Sequence, residues 1–182
     1  MDIVRRIFRI FNKLFMVPMF RLGFAPLLGN PISGYIMLIK TIGRKSGKTR
    51  YTPVNYAIID GDIYCISGFG RRSHWYLNLQ ADPRIELVLP GGAFRVEAED
   101  VKDQGEALRI IKQVFRNAGF AGYFEGYNPK IASDEQFLET LKHSPAVRMH
   151  PVGIGSGAYD PGGWMWGITA VLTVIILWLI LT

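Results

Sequence analysis

Cysteine is nearly absent: Cys65 is the single one among 182 residues. One cysteine excludes an internal disulfide and a cysteine-built zinc site. It falls in an apolar, strand-like run, so it is expected to be an inert core thiol. Histidine is scarce too. His74, His143 and His150 are far apart, without the paired spacing of metal ligands, so no metal site is expected. Acidic residues are outnumbered, 15 against 21 Lys and Arg, which leaves a net charge of +6. The shortage is local. Residues 1–60 hold ten Lys/Arg against Asp2 and Asp60, and the remainder is net acidic. Such asymmetry points to an anionic partner for the N-terminal third: a membrane surface, nucleic acid or an anionic ligand. No RNA-binding or helix-turn-helix signature supports nucleic acid, and no internal repeat is present. What the chain has in quantity is apolar residues, 49% of the total, enough for a packed core and against general disorder.

The longest apolar run, Trp164 to Thr182, carries no charge and has Trp164, Trp166 and Trp178 near its ends. As a helix it would be about 28 Å long at roughly 1.5 Å per residue, close to a hydrocarbon layer, with interfacial tryptophans. It predicts a transmembrane anchor at residues 164–182. The basic residues all precede it, which predicts a single-pass cell-membrane protein with its main domain cytoplasmic. A second segment, Met1 to Phe15, places Ile3, Ile7, Ile10 and Leu14 at helical spacing, widened by Val4, Phe8, Phe11 and Phe15. Arg5, Arg6, Arg9, Asn12 and Lys13 fall opposite. A basic amphipathic helix of this kind suits a membrane interface; packing on the domain or on a partner subunit is the competing reading. Charges interrupt its apolar positions, so no cleavable leader is expected.

Between these segments the pattern is one of short strands and inserted helices. Pro18, Pro26 and Pro31 break up the stretch after the first helix. Six extended runs follow: 35–42, 50–59, 63–67, 84–89, 93–101 and 146–152. Asp60-Gly61-Asp62 and Pro90-Gly91-Gly92 are hairpin turn signals. Ser73 precedes a short helix stopped by Asp82-Pro83. A helix from Asp103 to Asn117 buries Leu108, Ile111 and Phe115 and ends at Gly119. Ser133 with Gln136 forms a capping box for a third helix. Six antiparallel strands with inserted helices predict a small α+β barrel. Residues 153–163, with five glycines and Pro161, read as a linker.

Two segments carry candidate chemistry. Gly43 to Arg50, GRKSGKTR, sets Arg44, Lys45, Lys48 and Arg50 around the turn signal Ser46-Gly47. Arg forks and a Lys point charge suit a phosphate or a polyanionic tail; a solvated hairpin tip is the plainer reading. It is not a nucleotide P-loop, since only three residues separate Gly43 from Gly47-Lys48 and Pro53 follows in an extended run. The second segment, Ser67 to Leu79, leaves a strand and opens a helix. Gly68 and Gly70 allow close backbone approach, the helix start offers N–H donors to an anion, and Arg71 and Arg72 add charge. Trp75 and Tyr76 either wall a planar ring or fill the core. In FAGYFEGYNP, Tyr123 or Tyr127 is placed to donate a proton to a carbonyl, or simply to pin the loop by aromatic packing.

Together TIGRKSGKTRYTPVNY and DGDIYCISGFGRRSHWYLNLQADPRIEL resemble the deazaflavin-dependent nitroreductase family, flavin/deazaflavin oxidoreductases with a split β-barrel of the FMN-binding type. The likeness runs from about Leu38 to Val152, including the closing AVRMHPV. It implies the cofactor F-420, a deazaflavin, with its phosphate and glutamyl tail on Arg44, Lys45, Ser46, Lys48 and Arg50. It implies a ring site near Val54, Asn55, Ser67, Gly68, Phe69, Gly70, Trp75, Tyr76 and Asn78, with Arg71 and Arg72 beside it. It implies hydride transfer to a quinone-like or nitro acceptor; relatives use FMN. The chain departs from the pattern in a compact Gly68–His74 loop, with His74 where proline often precedes the Trp, and in its apolar C-terminal run. The domains expected are then 1–22 as an interface helix meeting membrane lipid, 33–152 as the cofactor-binding barrel, 153–163 as linker and 164–182 as anchor. The alternatives are the same barrel holding FMN, or a non-catalytic subunit of a membrane redox or photosynthetic complex.

Overall fold

The computed structural model describes residues 2–125, 128–157 and 165–181. Six strands form where the apolar alternation predicts them: β1 (Ile36–Ile42), β2 (Thr49–Ile59), β3 (Asp62–Ile66), β4 (Arg84–Leu89), β5 (Gly92–Asp100) and β6 (Ala146–Ile154). Asp60 and Gly61 both adopt positive φ, 53° and 91°. That is what a two-residue hairpin needs if its twist is to match the strands it joins. The strands close in the order β1-β2-β3-β6-β5-β4, each pair antiparallel. Closure removes the free edges that an open sheet would expose. One irregularity lies at Arg95/Val96, where Pro151 stands opposite Val96. Proline cannot donate to the ladder, and a bulge accommodates it. The fold is an α+β, six-stranded antiparallel barrel with helices.

Side-chain alternation divides the apolar residues between two faces of the barrel wall. One set, including Met37, Ile39, Cys65, Leu87, Val96, Val147 and Met149, forms a core with Trp75, Tyr76 and Leu79 from α4 (His74–Ala81). A second core lies under α5 (Gln104–Asn117) and α6 (Asp134–His143). There Ile110, Ile111 and Phe137 meet Ala57, Tyr64 and Ile66. Asp103 caps α5 by accepting from the Glu106 amide at 2.7 Å. Ser133 and Gln136 form the predicted reciprocal box on α6, at 3.4 and 2.9 Å.

The N-terminal run is longer than its apolar spacing predicts. α1 (Asp2–Phe11) passes through a π-helical turn at Asn12–Met16 into α2 (Val17–Arg21). Pro18 does not break it; it lies directly after the π-helical turn, where the i→i−4 ladder is already interrupted. Phe20 of α2 and Ala25 of α3 (Ala25–Leu28) pack on Leu38 and Val88 of the barrel. Ile7, Ile10, Phe11, Leu14 and Phe15 remain exposed.

The predicted transmembrane anchor is overturned. α7 (Met165–Leu181) has 17 residues, about 26 Å at roughly 1.5 Å per residue, short of a hydrocarbon core of roughly 30 Å. Among the described residues, no helix is long and apolar enough to cross a membrane. The single-pass cell-membrane placement with a cytoplasmic main domain rested on that span and falls with it. Thr169 of α7 donates its hydroxyl to the Leu22 carbonyl, which ties the helix to the end of α2. Most of the predicted linker, 158–163, and Trp164 lie outside the described residues; Gly153 and Ile154 belong to β6.

Candidate functional site

The basic turn between β1 and β2 is closed by its own backbone. The Gly43 amide donates to Lys48 O at 2.9 Å, and the Ser46 and Gly47 amides donate to Gly43 O at 3.0 and 2.8 Å. Gly47 sits at φ +64°, and a Cβ on Gly43 would lie 2.8 Å from Ser46 Oγ. The glycines therefore let the chain reverse tightly while Arg44, Lys45, Ser46, Lys48 and Arg50 all face solvent. Among the described residues, none of these four cations, nor Arg72, makes an ion pair. Several cations elsewhere are matched: Lys40 with Glu86 at 3.0 Å, Arg109 with Asp60 at 3.1 Å, and Arg148 with Glu99 at 2.9 Å and Glu106. The turn is thus a local excess of positive charge with donors free to meet oxyanions.

Ser67 to Ser73 joins β3 to α4. Ser67 is fully buried; its hydroxyl donates to Gly70 O at 2.8 Å and lies 3.1 Å from Ser73 Oγ. Gly70 has φ +73°, and a Cβ there would stand 2.7 Å from His143 O. Both facts demand glycine. Ser73 is the N-cap of α4, but its side chain makes no capping bond, so the first amides of α4 keep their donors. Gly68, Phe69, Arg71, Arg72 and His74 are exposed.

The aromatic pair after Ser73 sits inside the barrel core. Trp75 is 8% exposed and Tyr76 3%, packed edge to face with ring centres 6.0 Å apart. The Tyr76 hydroxyl donates to Asp100 at 2.6 Å and accepts from Arg71 at 3.0 Å. Burial and the adjoining Asp100 carboxylate push the Tyr76 phenol up to about 12, while Arg71 pulls it the other way.

Asn78 joins the two segments. It is 6% exposed. Its Oδ1 accepts from both the backbone amide and Nη1 of Arg44, each at 3.2 Å, and its Nδ2 donates to Thr41 Oγ1 at 3.2 Å. The cationic turn and α4, more than thirty residues apart in sequence, meet at this side chain.

A second zone lies along β2. Val54 and Asn55 are half-buried, and Asn55 Nδ2 donates to Tyr35 O at 3.3 Å. Asn55 stands five residues from Arg50, about 16 Å along an extended strand at roughly 3.3 Å per residue. Two glycines bring another segment against it. A Cβ on Gly34 (φ +89°) would meet Ala118 O at 2.6 Å, and one on Gly119 (φ +56°) would meet Ile32 O at 2.3 Å. That contact seats the start of the 3-10 segment Gly119–Glu125, which carries exposed Tyr123, against the loop at residues 32–34. Tyr127 lies outside the described residues. Burial, and then the neighbouring Tyr35 phenol, raise the pKa of the Tyr56 phenol. Asn117 ties the zone together, donating through Nδ2 to Tyr56 O at 3.1 Å and accepting the Tyr35 amide at its own carbonyl at 2.8 Å. Thr41, Asp100, Tyr35 and Asn117 were not singled out as site residues in the sequence, because the partners that give them a role lie far along the chain.

Comparison with known proteins adds to this geometry. A family described as F-420H(2)-dependent quinone reductase matches residues 20–132. An F-420H(2)-dependent quinone reductase of Mycobacterium tuberculosis is 30% identical over 100 residues, 53% of this chain and 66% of that protein, so the match spans just under two thirds of the relative. A conserved hypothetical protein of known structure from Mycobacterium tuberculosis is 23% identical, with TM-score 0.48 over 66% of this chain and 74% of its own. The structure of an F-420-H2 dependent reductase, FDR-A, is 20% identical, with TM-score 0.42 over 63% of this chain and 93% of its own.

Proposed function

The chain belongs to the F-420H(2)-dependent quinone reductase family, and on that premise we propose that it is a reductase that passes a hydride from reduced F-420 to a quinone-like acceptor. The observation that supports this most is the pairing of an unneutralised cationic turn with a half-buried polar zone about 16 Å along the same strand. A long cofactor with an anionic tail and a flat ring has those two needs at that kind of separation. The donor set fits: Arg44, Lys45, Ser46, Lys48 and Arg50 suit phosphate and carboxylate oxygens, and the first amides of α4 suit one more.

When bound, F-420 would supply the hydride. The chain's own residues bind and orient. From β2, Asn55 would meet the ring while Val54, on the opposite face of the strand, packs on the barrel core, and the backbone at Gly68 and Gly70, on either side of Phe69, would approach the ring where there is no Cβ. Tyr123 or Tyr127 is proposed to donate the proton that the acceptor oxygen takes up as hydride arrives. Residues 33–152 form the cofactor-binding unit in this reading. The exposed Ile7, Ile10, Phe11, Leu14 and Phe15, with Arg6, Arg9 and Lys13, support a peripheral contact of the N-terminal run with anionic lipid, the helix lying along the surface.

The test is titration of the purified chain with F-420 and with FMN, followed by F-420H(2) oxidation with menadione as acceptor. Tight F-420 binding is expected, with Lys45→Ala and Arg50→Ala each costing about 1 kcal/mol, roughly fivefold in Kd. Binding should weaken as salt is added. Unchanged affinity in both variants would remove the cationic turn from the site, and binding of FMN alone would replace the cofactor.

A further inference from the structure

The residue that shapes the cationic turn is not on it. We propose that Asn78 is a positioning residue: it fixes Arg44 and with it the conformation of residues 43–48. This deepens the function proposed above and rests on it for the identity of the ligand.

Three observations carry the inference. First, the side chain is engaged at both ends. Asn78 Oδ1 takes two donors from Arg44 and Nδ2 gives one hydrogen to Thr41 Oγ1, all at 3.2 Å, in a site where Asn78 is 6% and Thr41 3% exposed. A buried amide engaged on both ends has little left for a ligand. Second, among the described residues no other side chain from outside the turn bonds to it. Its internal bonds are those of Gly43, Ser46 and Gly47 to nearby carbonyls, plus the Lys48 amide to Ser46 Oγ at 3.4 Å. The Arg44 amide points out of the turn and is held from α4. Third, the guanidinium of Arg44 is exposed yet tethered at Nη1. Among the described residues it is the one cation of the four held by a side-chain hydrogen bond, so its remaining donors are aimed in advance, whereas Lys45, Lys48 and Arg50 must be ordered by the ligand. Preorganisation of this kind raises affinity by lowering the ordering cost of binding.

The Tyr76–Asp100–Arg71 set gives an internal control. It holds the other loop from the same helix, through Asp100 at 2.6 Å from the Tyr76 hydroxyl and Arg71 at 3.0 Å. If Asn78 acts locally, losing it loosens 43–48 and leaves 67–73 alone. Asp100→Asn should do the reverse.

The experiment is amide hydrogen exchange in the cofactor-free protein, joined to F-420 titration of the same samples. Asn78→Ala and Asn78→Leu are compared; the second restores apolar volume, so a packing defect and a lost bond are separated. Both are expected to speed exchange at 43–48 at least fivefold, with 67–73 at the wild-type rate. Kd for F-420 should rise about tenfold, while kcat at saturating cofactor stays within twofold. Asn78→Asp, which keeps an acceptor for Arg44, should recover most of the affinity. Wild-type exchange at 43–48 in both Ala and Leu variants would overturn the proposal, as would a kcat loss with Kd unchanged, which would place Asn78 at the reacting centre. A wild-type protein that does not bind F-420 refutes the reading of the site instead, and the exchange rates still decide what Asn78 does.

Discussion

Replacing Gly70 by alanine tests whether the loop between β3 and α4 is held by conformation and contact together. The residue has φ +73°. An L-residue in that region costs about 1–2 kcal/mol. The new Cβ would also stand 2.7 Å from His143 O. That oxygen is backbone at the end of α6, so the clash is not relieved by a rotamer change. Forcing a methyl into an occupied space costs typically 1–3 kcal/mol more, giving about 2–5 kcal/mol in all. Gly47 provides the comparison. It has φ +64° with nothing within 4 Å of its Cβ, so Gly47→Ala should show the conformational part alone, about 1–2 kcal/mol. Equilibrium urea unfolding of both variants gives the two free energies directly. Equal losses would refute the steric half of the argument, and no loss in either would refute both halves. The difference also has a functional side. Gly70 O accepts from Ser67 Oγ and from the Ser73 amide, so a shift there moves the start of α4 and the two arginines that precede it.

Acid should weaken the strap that follows β6. Glu86 accepts from Lys40 at 3.0 Å and from Ser156 at 3.1 and 3.0 Å. Burial disfavours its charge, but the bonds from Ser156 and Lys40 outweigh that and hold its carboxyl below the usual 4.5. A depressed folded pKa means stability that is present above the unfolded value and lost as pH falls through the folded one. The stability gap between wild type and Glu86→Gln should therefore close on acidification below about pH 4.5; a gap constant across the titration refutes the assignment. Cys65 is fully buried, and burial raises its thiol pKa. It should resist iodoacetamide in the native state at pH 8 and react fully in urea; native labelling at the unfolded rate would show that its strand opens.

Much of the barrel was legible because local chemistry and global fold agree there. Asp60-Gly61 and Pro90-Gly91-Gly92 announce their hairpins, and the box of Ser133 and Gln136 announces α6. The cationic turn was legible because charge density needs no tertiary information. Trp75 and Tyr76 were ambiguous, since an aromatic that walls a ligand and one that fills a core look alike until the α4 register is known. The role of Asn78 was hidden for the same reason: its partners Thr41 and Arg44 lie on the far side of two strands. Gly119 read only as a helix stop and Gly34 was not singled out, although their close approach seats the Tyr123 segment. α7 misled because the apolar run was read as helical over all of 164–182, whereas the described helix covers Met165–Leu181, short of a hydrocarbon core.

The strand order has a consequence for synthesis. β6 sits between β3 and β5, with Ile63 opposite Met149 and Ala98 opposite the same residue on its other side. A nascent chain that has emerged only as far as Asp100 owns five strands and cannot shut the ring. At roughly 5–20 residues per second of translation, the gap between β5 and the end of β6 lasts about 3–10 s. Throughout that interval β3 and β5 present unpaired ladders to the crowded space around the ribosome. Those two strands are where trigger-type chaperones would be needed and where strand exchange between neighbouring nascent chains would begin.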